Sequence, residues 1–427
     1  MNIAVECLNN LADFLFCECM NMRAIEFDFG KAGFPEKTIR ETAGRLGKRI
    51  AELRTVVAER DYSSPAASLI LPQEKKFAAE SKNLAPRYRD SSTIIVVGIG
   101  GSNLGTMAVQ EAVLGKYANL LGKKRIFYAD TVDADSFRAI TELAKKSEGN
   151  VLINAISKSG TTTETNANFN ALTCALGEKA SVIVTGDAGS KTLAEAEKNG
   201  YDTLTVPPAV GGRYSVFSNV GLFPLAAMGV NISALLEGAT DAVDGCLEES
   251  TESPAAVIAA LVYLHWKKGI RIHNQFLFSN DLESTGKWYR QLMAESIGKK
   301  GNGVTPTVSI GTTDLHSMAQ LYFNTKSIFH RMVRVKKWKN ANTPEGRKLK
   351  TIMGILADSA EEAFANRRKP FIKLALKDKS EYAIGQLLQL EMIEMMLLAK
   401  LMGVNPFGQP DVERYKKIAR KKLGGGN

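Results

Sequence analysis

Four short runs of apolar and β-branched residues, TIIVVG (93–98), NVLINAI (150–156), SVIVTG (181–186) and DTLTV (202–206), recur along the chain with helical stretches between the earlier ones. A run without polar alternation is a strand covered on both faces, and strands that alternate with helices build a parallel sheet flanked by helices. The same order returns after a helical stretch at 233–268: NQFLFS (274–279), a helix near 282–297, TVSIG (307–311), a helix near 314–323, and FIKLAL (371–376). Two α/β units follow, with the break between Gly212 and Gly238, and a length of 427 residues accommodates two or three cored domains. Residues 35–60, opened by Pro35, read as an exposed amphipathic helix leading into the first core. The expected division is an N-terminal extension and helix over 1–60, a first unit over 61–225, and a second over 226–427 that carries the C-terminal helices.

Hydrophobic residues make up 44% and charged residues 23% of the chain, which excludes a largely disordered protein. The formal charge of +10 is unevenly placed: from Arg331 onward there are 21 Lys and Arg against 10 Asp and Glu, so the rest of the chain is close to neutral. Such a surplus attracts anions by its field. The basic residues are not interleaved with stacking aromatics, which argues against nucleic acid as a partner. Five scattered cysteines (Cys7, Cys17, Cys19, Cys174, Cys246) and four separated histidines (His265, His273, His316, His330) suggest neither a disulfide framework nor a metal site. The opening residues carry Glu6, Asp13 and Glu18 without a basic leader, reading as neither signal peptide nor membrane span, so a cytoplasmic protein with no membrane partner is expected.

Parallel sheets present their functional loops at the carboxyl ends of the strands. GIGGSNLG (98–105) fits neither the dinucleotide fingerprint nor the P-loop, and remains a glycine-rich turn that either cradles an anion or serves tight packing. SKSGTTTET (157–165) offers Ser157, Ser159, Thr161 and Thr162 with Lys158 before a helix; one hydroxyl suffices for capping, so the surplus favours an oxyanion such as a phosphate monoester. GGRYSVFS (211–218) sets Arg213 beside two glycines, where a surface salt bridge is the ordinary alternative. ESTGKWYRQLMAESIGK (283–299) places Gln291 and Glu295 on one helix face, and TTDLHSMAQ (312–320) puts His316 in the first turn of a helix capped by Thr312 or Thr313. Singly, Glu295 reads as a solvated helix residue and His316 as a capping or core histidine; together they suggest acid–base chemistry.

These segments resemble a known family. GIGGSNLG, ISKSGTTTET, GGRYSVFSNVGLFPLAAMG, AESIGKKGNG, TTDLHSMAQ and GVNPFGQPDVERYKK (403–417) are similar, in order, to the signature segments of the glucose-6-phosphate isomerases, over roughly residues 23–424. The resemblance implies two sugar-isomerase (SIS) domains, each a three-layer α/β/α sandwich with a parallel central sheet. It also implies reversible interconversion of glucose 6-phosphate and fructose 6-phosphate without cofactor or metal. Carried to this sequence, Gly101, Ser102, Ser157, Lys158, Ser159 and Thr162 would hold the phosphate. Glu295 would shuttle the proton between C1 and C2, Arg213 would stabilise the enediolate, and Gln291 and Gln409 would position the sugar. His316 and Lys416 would assist ring opening, with Glu164 orienting His316. In the family the histidine comes from the second subunit, so a homodimer with shared sites is implied. Gly408 stands where many relatives carry Asp or Asn, which implies a local loop effect.

The first 21 residues lie outside the resemblance, and MRAIEFDFGKAGF looks like a family start, so Met22 is expected to be the initiator or the leading segment dispensable. Two alternatives stay open within the same fold: a dual phosphoglucose/phosphomannose isomerase, and a non-catalytic regulator that binds phosphosugars. The isomerase half of glucosamine-6-phosphate synthase lacks support, because the chain has no amidotransferase domain. A silent sensor has no chemical need for Glu295, Arg213, His316 and Lys416 together.

Overall fold

A computed structural model describes residues 19–158, 160–248, 250–339 and 341–424. The opening segment, with Cys7 and Cys17, and Ser159 of the hydroxyl-rich loop lie outside the described residues. Eleven strands are present among them: β1 (Cys19–Asn21), β2 (Ile25–Asp28), β3 (Thr93–Val97), β4 (Arg125–Ala129), β5 (Val151–Ile156), β6 (Ala180–Asp187), β7 (Asp202–Val206), β8 (Ile272–Leu277), β9 (Thr305–Ile310), β10 (Ile328–Val335) and β11 (Phe371–Leu376). They form two sheets, in the orders β4–β3–β5–β6–β7 and β1–β2–β11–β10–β8–β9.

The first sheet is parallel throughout. Every residue of β3 and β5 is buried, as their unbroken apolar runs require. Successive side chains of β3 point to opposite faces: Ile95 and Val97 join a core with Leu172 and Leu193, while Ile94 and Val96 join another with Leu204 and Phe223. Two cores on the two faces of one sheet make the three-layer α/β/α sandwich.

In the second sheet the expected strands β8, β9 and β11 are parallel, β10, which was not expected, lies between β8 and β11 parallel to both, and two further strands are added antiparallel at one edge. These come from the N-terminal segment: β2 pairs with β11, with Phe27 opposite Leu374, and β1 pairs with β2. Residues 19–28 are thus built into the second unit's sheet. The stretch 35–60 is not one exposed helix but two, Glu36–Gly44 and Gly47–Ala58, separated by the fully buried Leu46. Ile39, Ala43, Ile50 and Leu53 turn inward, so the pair covers the core instead of leading away from it. Likewise 233–268 divides into Ile232–Cys246 and Pro254–Lys267, and 314–323 into Thr313–Ser317 and Ala319–Asn324.

The centre of the second unit is the helix Glu381–Met402. It is opened by Ser380, whose hydroxyl accepts from the Ala383 N–H at 3.3 Å, and closed by Gly403 in the left-handed conformation. It is long and apolar enough to cross a membrane, yet 94% of its most apolar stretch is buried inside the protein. Its crossing with Ile232–Cys246 is close: a Cβ on Gly385 would stand 1.9 Å from the Leu235 carbonyl, and one on Gly238 1.9 Å from the Tyr382 carbonyl. Gly385→Ala gains helix propensity of up to about 1 kcal/mol, but it drives a methyl into backbone that cannot rotate away. We expect a net loss of about 1–3 kcal/mol in urea denaturation, and an unchanged midpoint would refute the close crossing.

The same helix carries charge into the core. Arg331 of β10 is fully buried and donates from Nη1 to Glu391 at 3.1 Å and from Nη2 to Glu394 at 2.6 Å. Tyr289 Oη donates to Glu394 at 2.9 Å and Gln275 Nε2 to Glu391 at 2.8 Å. Burial, partly offset by Arg331, pushes Glu391 up to about 8 and raises Glu394 as well.

Candidate active site

The first sheet reverses its direction of growth at β3. The chain passes from β3 to β4 on one side and then returns to β5 on the other, so the topological switch point lies between β3 and β5. Ligands of open parallel sheets bind in the crevice outside the carboxyl ends at such a point. The loops leaving these two strands are the glycine-rich 98–105 and the hydroxyl-rich 157–165.

Ser157 is buried directly after β5, and its Oγ accepts from the Gly160 N–H at 3.1 Å. Thr162 is the N-cap of the helix Thr163–Leu176, yet its side chain makes no capping bond. The Ser102 hydroxyl likewise makes no hydrogen bond to another described residue, so the Ser102 and Thr162 hydroxyls are not consumed by the fold. Lys158 behaves differently from the expectation that it lies alongside a phosphate. Its ammonium donates to the Pro208 and Val210 carbonyls, the latter at 3.2 Å, and so ties down the chain leading to Gly211 and Arg213. Burial raises Asp187 above the usual carboxylate range, with the nearby Lys158 opposing the shift.

Loop 98–105 meets the turn that carries Arg213 by close backbone contact and touches the second unit at the Gln291 side chain. A Cβ on Gly101 would lie 2.2 Å from the Gly212 carbonyl carbon and 2.4 Å from the Arg213 nitrogen, and Gly100 packs against the Gln291 amide. Only glycine lets this loop meet the turn Gly212–Tyr214. Arg213, with 1% of its side chain exposed, then projects into a fixed set of acceptors. Nε donates to Ser296 Oγ at 3.0 Å, Nη1 to Glu295 Oε2 at 3.1 Å and to Gln409 Oε1 at 2.9 Å, and Nη2 to the Pro406 carbonyl. Gln291 Nε2 donates to the other Glu295 oxygen at 3.0 Å. Tyr214, held up in pKa by burial, shares Ser296 at 2.8 Å and packs against the Phe407 ring.

The arrangement places a carboxylate, 28% exposed, with each oxygen held by a different donor at the mouth of a buried guanidinium. Four of the five guanidinium N–H groups are engaged, so Arg213 acts through its charge and one remaining N–H. A carboxylate fixed in this way can take and return a proton, and the guanidinium favours negative charge developing beside it.

The structure unites Glu295, Arg213, Gln291 and Gln409, from segments up to 196 residues apart. It does not bring in the other three. His316 is exposed, and it lies in the last turn of the five-residue helix Thr313–Ser317, not the first turn of a longer one. Of the two proposed caps, Thr312 occupies the N-cap position but makes no side-chain capping bond, and Thr313 lies inside the helix. Glu164 is half-buried in the first turn of Thr163–Leu176, with no hydrogen bond or ion pair to His316 among the described residues. Lys416 pairs with Glu413 at 3.1 Å on the helix Val412–Lys422, which buries no residue.

Two neighbours escaped the sequence reading. Ser296 lies under Arg213, and Lys299 donates to the Asn405 carbonyl beside it. Lys299 is four residues after Glu295, a spacing that places two side chains together on a helix and could have marked it. A cavity of about 570 Å³ lies elsewhere, bounded by Phe27, Trp338 and Lys350. Of its cations, Arg334, Lys336 and Lys373 are held in ion pairs with carboxylates.

The family described as Phosphoglucose isomerase matches residues 85–317. A glucose-6-phosphate isomerase of Rubrobacter xylanophilus is 32% identical, covering 94% of this chain and 99% of that protein. One from Methanocaldococcus jannaschii is 34% identical over 76% of this chain and 82% of that protein. Among solved structures, a hypothetical protein of Thermus thermophilus superposes with a TM-score of 0.81 at 29% identity, covering 91% of this chain and 98% of that one. A glucose-6-phosphate isomerase of Chlamydia trachomatis gives the same TM-score, 0.81, at 19% identity over 95% of this chain and 90% of that one, a likeness of fold. The family match spans more than half of the chain and the full-length relative shares a third of its residues, so the chain belongs to the phosphoglucose isomerase family.

Proposed function

We propose that the protein interconverts glucose 6-phosphate and fructose 6-phosphate through ring opening and an enediolate, as the names of its relatives state for them. The observation that carries the reading is Glu295 held between Arg213 and Gln291, facing the opening beside the switch-point loops. The free hydroxyls of Ser102 and Thr162 and the helix N-terminus behind them suit the substrate's phosphate. Phosphate held there supplies binding energy remote from the reacting carbons and sets the open chain in register. Glu295 then takes the proton from C2 and returns it to C1 on the same face. The Arg213 charge, sheltered from water, offsets the enediolate charge that develops between these steps.

Ring opening needs a donor to the ring oxygen and an acceptor for the anomeric hydroxyl, roles suited to His316 and Lys416. In the single chain His316 is exposed and Lys416 half-buried, and the helix bearing Lys416 exposes Tyr415 and Ile418. Association of two copies is the economical way to bring His316 to a site that lacks it, and a homodimer is part of this proposal. Dilution that leaves full activity in a sedimenting monomer would refute it. A cytoplasmic location accords with a dianionic substrate that does not cross an apolar bilayer unaided.

The deciding assay supplies fructose 6-phosphate with excess glucose-6-phosphate dehydrogenase and NADP, and runs mannose 6-phosphate in parallel with its own coupling. NADPH formation from fructose 6-phosphate supports the reading, and turnover of mannose 6-phosphate extends it to the dual isomerase. A folded protein that binds fructose 6-phosphate without turnover would point instead to a phosphosugar regulator.

A further inference from the structure

The C-terminal loop that delivers Gln409 to Arg213 has little holding it from within. After Gly403 closes the helix Glu381–Met402, only Val404 and Pro406 are buried, while Asn405, Gly408, Gln409 and Pro410 are exposed. A segment with few buried apolar contacts opens at low free energy unless something outside fastens it. Two cations do so, from two different elements and on consecutive carbonyls. Arg213 Nη2 donates to the Pro406 carbonyl, and Lys299 Nζ donates to the Asn405 carbonyl. The Asn405 side chain in turn accepts from the Phe407 N–H at 2.9 Å, and the Phe407 ring rests on Tyr214.

Lys299 reaches this position because its helix stops. Ile297 is the last helical residue, Gly298 caps it, and the chain then turns with the Asn302 N–H bonded to the Lys299 carbonyl at 2.9 Å. This leaves the Lys299 side chain half-buried on the Glu295 side of the helix end. The charged groups acting on it are Arg213, from the turn Gly212–Tyr214, and Glu295, from its own helix. Asn405, from the C-terminal loop, contributes only its carbonyl dipole.

We infer that Lys299 is a positioning residue of the isomerase site, which tethers Asn405 so that the loop presents Gln409 to Arg213 and Glu295 in one fixed geometry. The inference rests on the proposed isomerase reading for its kinetic consequence, but the tether itself stands on the contacts above. Lys299 touches no reacting atom in this scheme. Its loss displaces Gln409 and Arg213, and misplacement by about 1 Å can cost on the order of 100-fold in rate. In the proposed reading the phosphate is held by Ser102 and Thr162, which Lys299 does not contact, so KM moves little.

Charge matters as well as reach. Burial, reinforced by the neighbouring Arg213 and opposed by Glu295, lowers the Lys299 ammonium to about 8. As pH rises through that value the charge-assisted bond to Asn405 weakens, while Arg213 stays charged. Activity should therefore fall on an alkaline limb that belongs to Lys299.

The experiment compares wild type, Lys299→Met and Lys299→Arg in the full chain. It measures kcat and KM for fructose 6-phosphate from pH 6 to 10, together with hydrogen–deuterium exchange of the peptide spanning 404–411 without substrate. Lys299→Met should lose about 10- to 100-fold in kcat with KM within about threefold, and the 404–411 amides should exchange faster. Lys299→Arg should recover most of the kcat and the protection, and its alkaline limb should move well above pH 8 because arginine does not titrate there. Wild-type kcat and wild-type exchange in Lys299→Met would overturn the inference. If Lys299→Met does not fold, Lys299→Arg decides alone: a limb that stays near pH 8 overturns it. An inactive wild type would defeat the isomerase reading, and the exchange measurement would still decide the tether.

Discussion

Replacing Glu295 by glutamine is expected to cut kcat on fructose 6-phosphate by about 100- to 10,000-fold, the range for a positioned acid–base group. Substrate binding should be nearly unchanged, because the substitution is close to structurally silent here. The introduced amide keeps an oxygen for Arg213 Nη1. Its new N–H₂ faces Gln291, whose own Oε1 is buried without a partner, so that amide can turn over and accept. The neighbourhood therefore adapts to the loss of charge, and what disappears is the ability to carry a proton. Parallel measurement of kcat and of fructose 6-phosphate binding by calorimetry checks both halves. A variant that keeps most of its turnover would remove Glu295 from the role, and one that loses binding as well would show that the pocket had collapsed.

Arg331→Met should be the most damaging single change to stability. It leaves Glu391 and Glu394 facing each other in a dry core, and breaking a buried ion pair by removing one partner costs about 3–5 kcal/mol. Urea denaturation followed by circular dichroism measures this. The loss should be smaller at pH 5 than at pH 9, because protonated carboxyls bear the missing counter-charge better. The fold itself already favours the protonated form of Glu391, holding it up to about 8. That shift makes wild-type stability fall as pH climbs from the ordinary carboxyl value of about 4.5 to about 8, since the folded state binds the extra proton across that window. Replacing all three by Met, Leu and Leu should recover most of the stability lost in Arg331→Met. A single replacement that costs under about 1 kcal/mol would mean that water already reaches the cluster.

This cluster also explains one strand that the sequence concealed. TIIVV, VLINAI and FIKLAL were legible because burial on both faces demands apolar residues, and each appears as a strand where expected. β10 reads IFHRMVRV, and its His330, Arg331 and Arg334 break the apolar run although the strand is nearly all buried. The compensation for Arg331 lies 60 residues further on, in Glu391 and Glu394, where no local pattern can announce it. β4, RIFYA, is a short edge strand opened by an exposed arginine. The N-terminal strands were missed for another reason: they are short, and β2 joins the sheet only through β11, at a separation that leaves no periodic signature.

At the site, residue types and spacing pointed to Gln291 with Glu295, which share one helix, and the structure joins them. The union of Arg213 with Gln409 could be inferred only by resemblance, because it is made across two units. Lys158 shows the limit of reading a loop by composition. Its positive charge beside serines and threonines suggested an anion, whereas its ammonium is occupied by two carbonyls of the segment before Arg213. Ser296 carried no signal, since a small hydroxyl beside a glutamate is common on helices.

The antiparallel pairing of β2 with β11 also sets an order of events during synthesis. The first sheet is drawn from a continuous stretch, Thr93 to Val206, and can close as soon as that stretch has left the ribosome. β2 emerges before that stretch, and apart from the adjacent β1 it must wait for residues 371–376 before it gains a partner. At about 5–20 residues per second, that interval is roughly 20 to 70 s. Throughout it Ile25 and Phe27, which end fully buried, have no sheet to join. The nascent chain thus carries an apolar strand with its β11 edge unfilled ahead of an already folded unit, and it is in this interval that a holding chaperone has its target.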